Sequence, residues 1–180
     1  MMMKTTKVAA LFAILISLGL AQPTFALEGE RPETLSEIQR KTLKLVNKER
    51  RKRGLSALTR SSNLNRAAMA YAKELTRRGY GLHSTFNSHV GLNGSNVTSR
   101  TRAAGINACV SLENLAWGQK DTDEVFRDWM TSAGHKKNIL YPKITHFGMA
   151  HYGRTWVMMG SKNCKRRAPW RRLIKTSAAR

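Results

Sequence analysis

The most informative part of this sequence is Trp129-Met130-Thr131-Ser132-Ala133-Gly134-His135, followed by Asn138-Ile139-Leu140 and taken together with two shorter stretches. These are Asn87-Ser88-His89 and Glu113-Asn114-Leu115-Ala116. Together they place two histidines and one carboxylate on separate segments, each beside small or turn-forming residues. Imidazole and carboxylate groups are common zinc ligands and common general acid/base partners. The order and spacing of the stretches predict that these side chains converge on one cleft.

The beginning of the chain has the features of a signal peptide. Lysines precede an apolar run from Val8 to Leu20, and Thr24-Phe25-Ala26 resembles a processing site. The run is shorter than the ~20 apolar residues that cross a bilayer, so we predict cleavage after Ala26. Cleavage after Ala21, or a retained N-terminal anchor, is the alternative. The expected product is a secreted or periplasmic protein that is not transmembrane once processed.

The charge of the chain predicts anionic partners. Lysine and arginine number 32 against 11 aspartates and glutamates, a formal net charge of +21. Such an excess favours association with an anionic envelope polymer or lipid, although high charge also keeps a secreted protein soluble. The basic run at residues 48–53 suits the negative end of a helix dipole. We therefore predict no sequence-specific nucleic-acid partner.

The cysteines predict one disulfide. The chain has 2 cysteines, Cys109 and Cys164, so a single intramolecular pair is possible. In an oxidising compartment such a pair is more often a bridge than a reactive site. On the chain-entropy model, closing a loop of this length stabilises the fold by roughly 4 kcal/mol.

The composition and patterning of the sequence predict four parts: a signal peptide (1–26), a linker (27–36), a domain (37–164) and a basic C-terminal tail (165–180). The first helix is expected to begin at a capping box near Thr34 and Glu37 and to end at Gly54. Further helices are expected from Ser61-Ser62 to before Gly79, from Asn96 to Gly105, from Asp121, and from Ser132 as a cap through Leu140. Residues 80–96 are predicted to form a long, functional loop.

After Leu140, the spacing of the apolar residues changes from the period of a helix to that of a strand. Residues 144–151 and 154–161, joined at Tyr152-Gly153, predict a β-hairpin, and residues 112–116 a third strand. Helices before and between strands of a small antiparallel sheet predict an α+β layered domain. The tail has no acidic residue, and Trp170, Leu173 and Ile174 are interleaved with its cations. It is either a solvated, mobile terminus or an element that docks on anionic membranes or polymers.

The chain resembles the CAP superfamily, which comprises the cysteine-rich secretory, antigen 5 and plant pathogenesis-related proteins, in its short bacterial secreted form. The resemblance covers about residues 45–160. The matching motifs are Val46-Asn47-x-x-Arg50-x-x-x-Gly54-Leu55-x-x-Leu58, the Leu64/Ala67/Ala68 helix, Ser88-His89-x-Gly91, Arg102-x-Ala104-Gly105, Glu113-Asn114-Leu115-Ala116-x-Gly118, Trp129-x-x-Ser132-x-Gly134-His135-x-x-Asn138-Ile139-Leu140 and Phe147-Gly148-Met149-Ala150. The resemblance implies an α-β-α sandwich with a large central cleft.

The resemblance also implies a site of two histidines and two glutamates that holds a divalent ion. His89 and Glu113 carry over from its motifs. The second glutamate does not, because Ser132 stands at that position, and the strand that follows the second histidine in the family is absent here. We take His135 as the replacement. The predicted ligands of Zn²⁺ or another divalent cation are then His89, Glu113 and His135, and Ser132, Asn114 and His146 are predicted to line the cleft.

Each of these residues also has a structural explanation. His89 can hydrogen-bond a loop carbonyl, and Glu113 can accept main-chain amides at a strand end. Ser132 fits a helix N-cap, and His135 can pack against Trp129. The remaining His83 and His151 are expected at the surface.

Three functions follow from the sequence. The first is a non-enzymatic domain whose cleft binds an extracellular or envelope ligand, including a sterol or a fatty-acid-like lipid as the resemblance implies. The second is a metal-dependent hydrolase of peptide or cell-wall bonds, with Glu113 as general base and His89 and His135 as ligands or acid/base partners. The third is an anionic-surface binder that acts through the basic tail. No nucleophile elbow, His-Glu-x-x-His helix or phosphate-binding glycine loop is present in the sequence.

Overall fold

The structure, a computed structural model, describes residues 31–82 and 87–164. Several predictions fall outside these ranges: the signal peptide, residues 27–30 of the linker, His83 and the basic tail 165–180. The predicted domain itself lies almost wholly within them.

The described residues form five helices and four strands, with helices before and between the strands. The helices are α1 (Leu35–Arg51), α2 (Ser62–Arg77), α3 (Val97–Ala103), α4 (Thr122–Thr131) and α5 (Ala133–Ile139). The strands are β1 (Thr59–Arg60), β2 (Ala108–Trp117), β3 (His146–Tyr152) and β4 (Thr155–Asn163). The predicted α+β class is confirmed.

Side-chain caps fix the predicted helix starts. Thr34 and Glu37 form a reciprocal capping box at α1, in which each side chain accepts a hydrogen bond from the backbone of the other. Ser61, Asn96 and Asp121 cap α2, α3 and α4 by accepting from the backbone three residues on. These bonds satisfy amide groups that have no partner within the helix.

The sheet has the strand order β1-β3-β4-β2. The predicted hairpin forms between β3 and β4, with Gly153 at a positive φ of 58° in the turn. The predicted third strand is confirmed and is longer than expected, since β2 pairs with β4 from Ala108 to Trp117. The two-residue strand β1, which runs parallel to β3, was not predicted because it carries no periodic signal of its own.

The sheet lies between two layers of helices. Successive residues of β4 point to opposite faces, as strand geometry requires. Trp156 and Met158 join a core with α1, α4 and α5, whereas Val157 and Met159 join a second core with α2. This alternation produces the α-β-α sandwich that the family resemblance implies.

The predicted disulfide is present between Cys109 and Cys164. Cys109 lies near the start of β2 and Cys164 directly follows β4, so the bridge joins the end of the longest strand pair. Among the described helices, none has the length and apolar character to cross a membrane.

One arginine of the basic run at 48–53 has a role other than the predicted one. Arg50 is fully buried, and its guanidinium donates to the backbone carbonyls of Ser56, Ile139 and Tyr141. It therefore ties α1 to the segment that ends α5. The dipole argument for this run does not explain Arg50.

Candidate functional site

A cleft of about 560 Å³ opens between β2, α5 and the loop before α3. Its lining includes three side chains predicted as metal ligands and one predicted as cleft-lining. The lining residues are His89, Val110, Leu112, Glu113, Ser132, Gly134, His135, Lys137, Asn138 and Tyr141. The structure thus brings His89, Glu113 and His135 to one cleft, although they come from three different elements.

Glu113 is the buried charge of this site. Its side chain is 2% exposed, and Nη2 of Arg100 donates to Oε2 at 2.8 Å and to Oε1 at 3.0 Å. Arg100 is itself 9% exposed. Two largely buried, opposite charges in direct contact compensate part of each other's desolvation cost. Glu113 thus accepts from the Arg100 guanidinium, and not from the main-chain amides that the sequence analysis gave as an alternative.

His89 completes the polar cluster from the loop side. Its Nδ1 lies 2.9 Å from Oε1 of Glu113, and its side chain remains 55% exposed. The contact of Nδ1 with a carboxylate makes that nitrogen the protonated one of the ring. Nε2 is then the ring nitrogen left for a ligand. The His89 ring therefore contacts a carboxylate, and not the loop carbonyl that the sequence analysis gave as an alternative.

Asn114 and Asn138 position α5 against the sheet. The fully buried Asn114 donates from Nδ2 to the carbonyl of His135 at 3.0 Å. Asn138 donates from its Nδ2 to Oδ1 of Asn114 at 2.9 Å and to the carbonyl of Glu113 at 3.0 Å. Asn114 therefore supports the cleft from behind and does not line it, which corrects its predicted place.

His135 is partly buried at the helix α5 side of the cleft. Its ring meets Trp129 edge-on, with 6.5 Å between centroids. Burial, and then the nearby imidazole of His89, lower the pKa of His135 below its usual value. A neutral imidazole is therefore the form present at neutral pH. The predicted packing of His135 on Trp129 and its place in the cleft are both observed.

Ser132 lies at the positions that the sequence analysis gave it, whereas His146 lies away from the cleft. Ser132 occupies the N-cap position of α5, but its side chain makes no capping hydrogen bond and instead lines the cleft. His146 starts β3, pairs with Thr59 of β1, and lines a separate cavity beside Cys164. The lining of the cleft therefore does not include His146, which was predicted to be part of it.

The residues present do not fit a divalent cation. In residues 31–82 and 87–164, no three His, Cys, Asp or Glu side chains lie together as a metal site. Both oxygens of Glu113 accept from Arg100, and one also contacts His89. The carboxylate that a cation needs is therefore already engaged by a positive charge.

Two residues of this site were missed at the level of sequence. Arg100 stands in a chain of 32 basic residues, and nothing in its local pattern separates it from its neighbours. Tyr71 belongs to the regular apolar face of α2, yet its ring lies 3.5 Å beneath the Arg100 guanidinium and its hydroxyl donates to the carbonyl of Ser88 at 2.5 Å. Burial raises the pKa of Tyr71 to about 12, so the phenol stays neutral.

Known proteins are similar to this chain in sequence or in structure. The Bacillus subtilis protein YkwD is 34% identical over 122 residues, which are 67% of this chain and 44% of YkwD. An extracellular protein of Bacillus anthracis containing a SCP domain has a TM-score of 0.65 at 18% identity, over 74% of this chain and 45% of that one. An outer surface protein of Borrelia burgdorferi has a TM-score of 0.64 at 19% identity, over 74% and 98%.

The structural neighbours are too distant in sequence to show more than the fold. This chain also spans less than half the length of YkwD and of the Bacillus anthracis protein. The family model of the cysteine-rich secretory proteins matches residues 43–157, which contain every lining residue of the cleft. With the sandwich, the cleft and these matches in agreement, the chain belongs to the cysteine-rich secretory protein family, CAP.

Proposed function

We propose that this protein is a non-enzymatic binding domain that acts outside the cytoplasm and takes an acidic, partly apolar ligand into the cleft. The observation that carries the proposal is the charge of the lining. Glu113 is the single acidic residue among the described lining residues, and its charge is balanced by Arg100. Lys137 then supplies a positive charge to the cleft, and the neutral imidazole of His135 supplies one N–H donor.

The apolar part of the lining supports the same ligand class. Val110, Leu112 and Tyr141 line the cleft beside these donors. At about 560 Å³, the cleft has the size of ordinary small-molecule sites. A ligand with a carboxylate head group against Lys137 and an acyl chain along the apolar residues would match both the charged and the apolar part of the lining. A fatty acid is the simplest molecule of this kind.

A fluorescent polyene fatty acid tests the proposal by titration against the full-length protein. We expect saturable binding that Lys137→Ala weakens about tenfold, the loss of one charge-assisted hydrogen bond. Lys143→Ala is the matched control, since Lys143 is exposed and lies outside the lining. The fatty alcohol of equal chain length should bind more weakly than the acid. Absence of saturable binding contradicts the ligand, and equal binding of acid and alcohol contradicts the ionic head group.

The hydrolase alternative finds less support from the geometry. A general base needs a lone pair within reach of its substrate proton. Glu113 is 2% exposed and both its oxygens accept from Arg100. Turnover of peptide or peptidoglycan substrates that is abolished by chelation would favour the hydrolase over the binding domain.

A second candidate function, association with an anionic polymer, is favoured by the outer face of α1. Arg40, Lys44, Lys48 and Arg51 recur at spacings of four, four and three, so they lie on one helix face. All four are exposed, and within the described residues none makes an ion pair. This cationic face adds to the charge of the tail that the sequence analysis singled out.

Salt-dependent retention on an immobilised polyanion tests the cationic face. Lys44→Glu/Lys48→Glu should elute at lower salt than Lys143→Glu/Lys162→Glu, which makes the same charge change elsewhere on the surface. Repeating both in a chain that stops at Cys164 separates the contribution of α1 from that of the tail. Equal elution of the two double variants would assign retention to net charge or to the tail.

A further inference from the structure

The loop that the sequence analysis singled out contains a tight turn whose apolar side chains lie in solvent. Residues 90–95 form this turn, and the Gly91 amide donates to the Ser95 carbonyl at 2.7 Å. Among the described residues, Leu92 is the most exposed large hydrophobic side chain, at 74%, and Val90 is 39% exposed. A single exposed leucine is ordinary on a protein surface. The hold on the backbone and the surrounding charges distinguish this turn.

Hydrogen bonds from the neighbouring helices hold the backbone of the turn. The Leu92 amide donates to Oε1 of Glu74 on α2 at 2.8 Å, and Nη1 of Arg78, which directly follows α2, donates to the carbonyl of Val90 at 2.8 Å. From α3, Nη1 of Arg100 donates to the last carbonyl of the turn at 2.7 Å. A backbone that is already ordered loses little conformational entropy when its side chains bind a surface.

The two helices that hold the turn carry an excess of positive charge. Glu74 is their single acidic residue, and Arg78 pairs with it at 3.5 Å. The exposed arginines of these helices are Arg66, Arg77 and Arg102. Arg66 lines the groove between α2 and α3 together with Asn93 of the turn. Apolar side chains with cations behind them suit an anionic membrane, where the side chains enter the lipid and the cations meet the head groups.

The small apolar surface of the turn favours a lipid bilayer over a protein partner. Two side chains are far fewer than the about 20–30 residues per partner that a stable protein interface uses. Shallow insertion of a few apolar side chains, combined with attraction to anionic lipid, is sufficient for reversible association with a membrane.

We propose that the 90–95 turn docks this protein on the surface of an anionic lipid bilayer. Leu92 and Val90 enter the outer part of the acyl region, and the exposed arginines of α2 and α3 lie against the lipid head groups. Because His89 directly precedes the turn and lines the cleft, docking brings that side of the cleft to the membrane. Docking goes beyond the cleft ligand proposed above and does not depend on it. It also differs from polyanion binding by α1, because it requires apolar contact with lipid.

Sedimentation of the full-length protein with phosphatidylcholine vesicles, with and without phosphatidylglycerol, measures this association. We expect binding to the anionic vesicles that Leu92→Ser weakens about fivefold, since partial burial of a leucine supplies part of its transfer free energy. Leu35→Ser is the control, because Leu35 is an exposed leucine on α1, outside the turn. Arg66→Gln should weaken binding more than Lys143→Gln, which makes the same charge change outside α2 and α3. Equal effects of the two serine variants would overturn the proposal.

A fluorescent label reports whether the turn itself enters the lipid. Leu92→Cys carries the environment-sensitive dye NBD on its thiol, because Cys109 and Cys164 are bridged and do not react with the dye. On anionic vesicles its emission should shift to the blue and become stronger, whereas the same label on Leu35→Cys should not change.

Three results would overturn the proposal: no sedimentation with anionic vesicles, sedimentation without a change in the label of Leu92→Cys, or an equal blue shift on soluble heparin. The second would assign membrane binding to another surface, and the third would assign the turn to a polyanion. Titration of the fatty acid without vesicles tests the cleft separately, so failure of docking and failure of the cleft ligand are distinguishable.

Discussion

The side-chain amide of Asn114 donates a hydrogen bond to the backbone carbonyl of His135 across 3.0 Å. Asn114 lies on β2 and is fully buried, whereas His135 lies on α5 at the cleft. Asn138, one turn further along α5, donates a hydrogen bond from its Nδ2 to Oδ1 of Asn114 at 2.9 Å. The backbone around His135 is thus held by the sheet, and its imidazole remains available to the cleft.

Asn114→Ala should destabilise the protein by about 1–3 kcal/mol, because it removes the donor to the carbonyl of His135 and one of the two acceptors of the Asn138 amide. Urea unfolding followed by circular dichroism measures the change. Asn93→Ala is the control, since Asn93 is exposed and its side chain accepts a hydrogen bond from the nearby backbone of Ser95. Similar losses in the two variants would mean that the Asn114 bridge contributes little.

Glu113→Gln should cost about 3–5 kcal/mol of unfolding free energy, since it leaves the buried guanidinium of Arg100 without its counter-charge. His89→Ala should cost far less, because the His89 side chain is 55% exposed. Guanidinium chloride titrations measure these losses, and the wild type, Glu113→Gln, Arg100→Ala and Arg100→Ala/Glu113→Gln together form a double-mutant cycle. A Glu113→Gln protein as stable as the wild type would show that the pair contributes no net stability.

The helices and strands could be predicted from sequence because their signals are local, whereas the sandwich was implied by the family resemblance. A capping box such as Thr34 with Glu37 specifies a helix start within four residues, and alternation in β4 specifies a strand with two buried faces. The Cys109–Cys164 bridge followed from there being only one possible pair. None of these features needs knowledge of which segments meet in space.

The cleft could be predicted only in part, because its composition depends on tertiary neighbours. His89, Glu113 and His135 belong to recognisable motifs, and the structure places all three on the lining. Arg100 lies on the short helix α3, and only its position opposite Glu113 distinguishes it from other arginines. The position of His146 could not be predicted either, because it depends on the pairing of β3 with β1, which the period of β3 does not reveal.

Stability should fall as the pH drops below about 6.5, the ordinary pKa of histidine. Burial lowers the pKa of His135 and of His151, so the unfolded chain binds protons at a pH where these folded side chains do not. Their stabilising contribution is complete above the unfolded pKa and is lost as the pH falls through the folded pKa.

Melting temperatures of the wild type and of His135→Asn between pH 8 and pH 5 measure this effect. The wild type should lose stability over that range, and the variant should lose less because one of the two perturbed groups is gone. His151 stacks on Trp156 with 3.8 Å between ring centroids, so His151→Phe should preserve the packing and remove the second group. If both variants kept the wild-type pH dependence, other groups would be responsible for it.

Gly148→Ala should destabilise the protein by roughly 1–3 kcal/mol, the usual range for overpacking a core. A Cβ at Gly148 would overlap Leu64 and come within 2.8 Å of the backbone nitrogen of Asn65, so α2 would have to move away from β3. Gly134→Ala makes the same chemical change inside α5, where a Cβ meets nothing within 4 Å. That variant should be stabilised by about 0.5–1 kcal/mol through the better helix propensity of alanine. Opposite signs in chemical denaturation would show that the close approach of α2, and not the loss of glycine as such, requires Gly148.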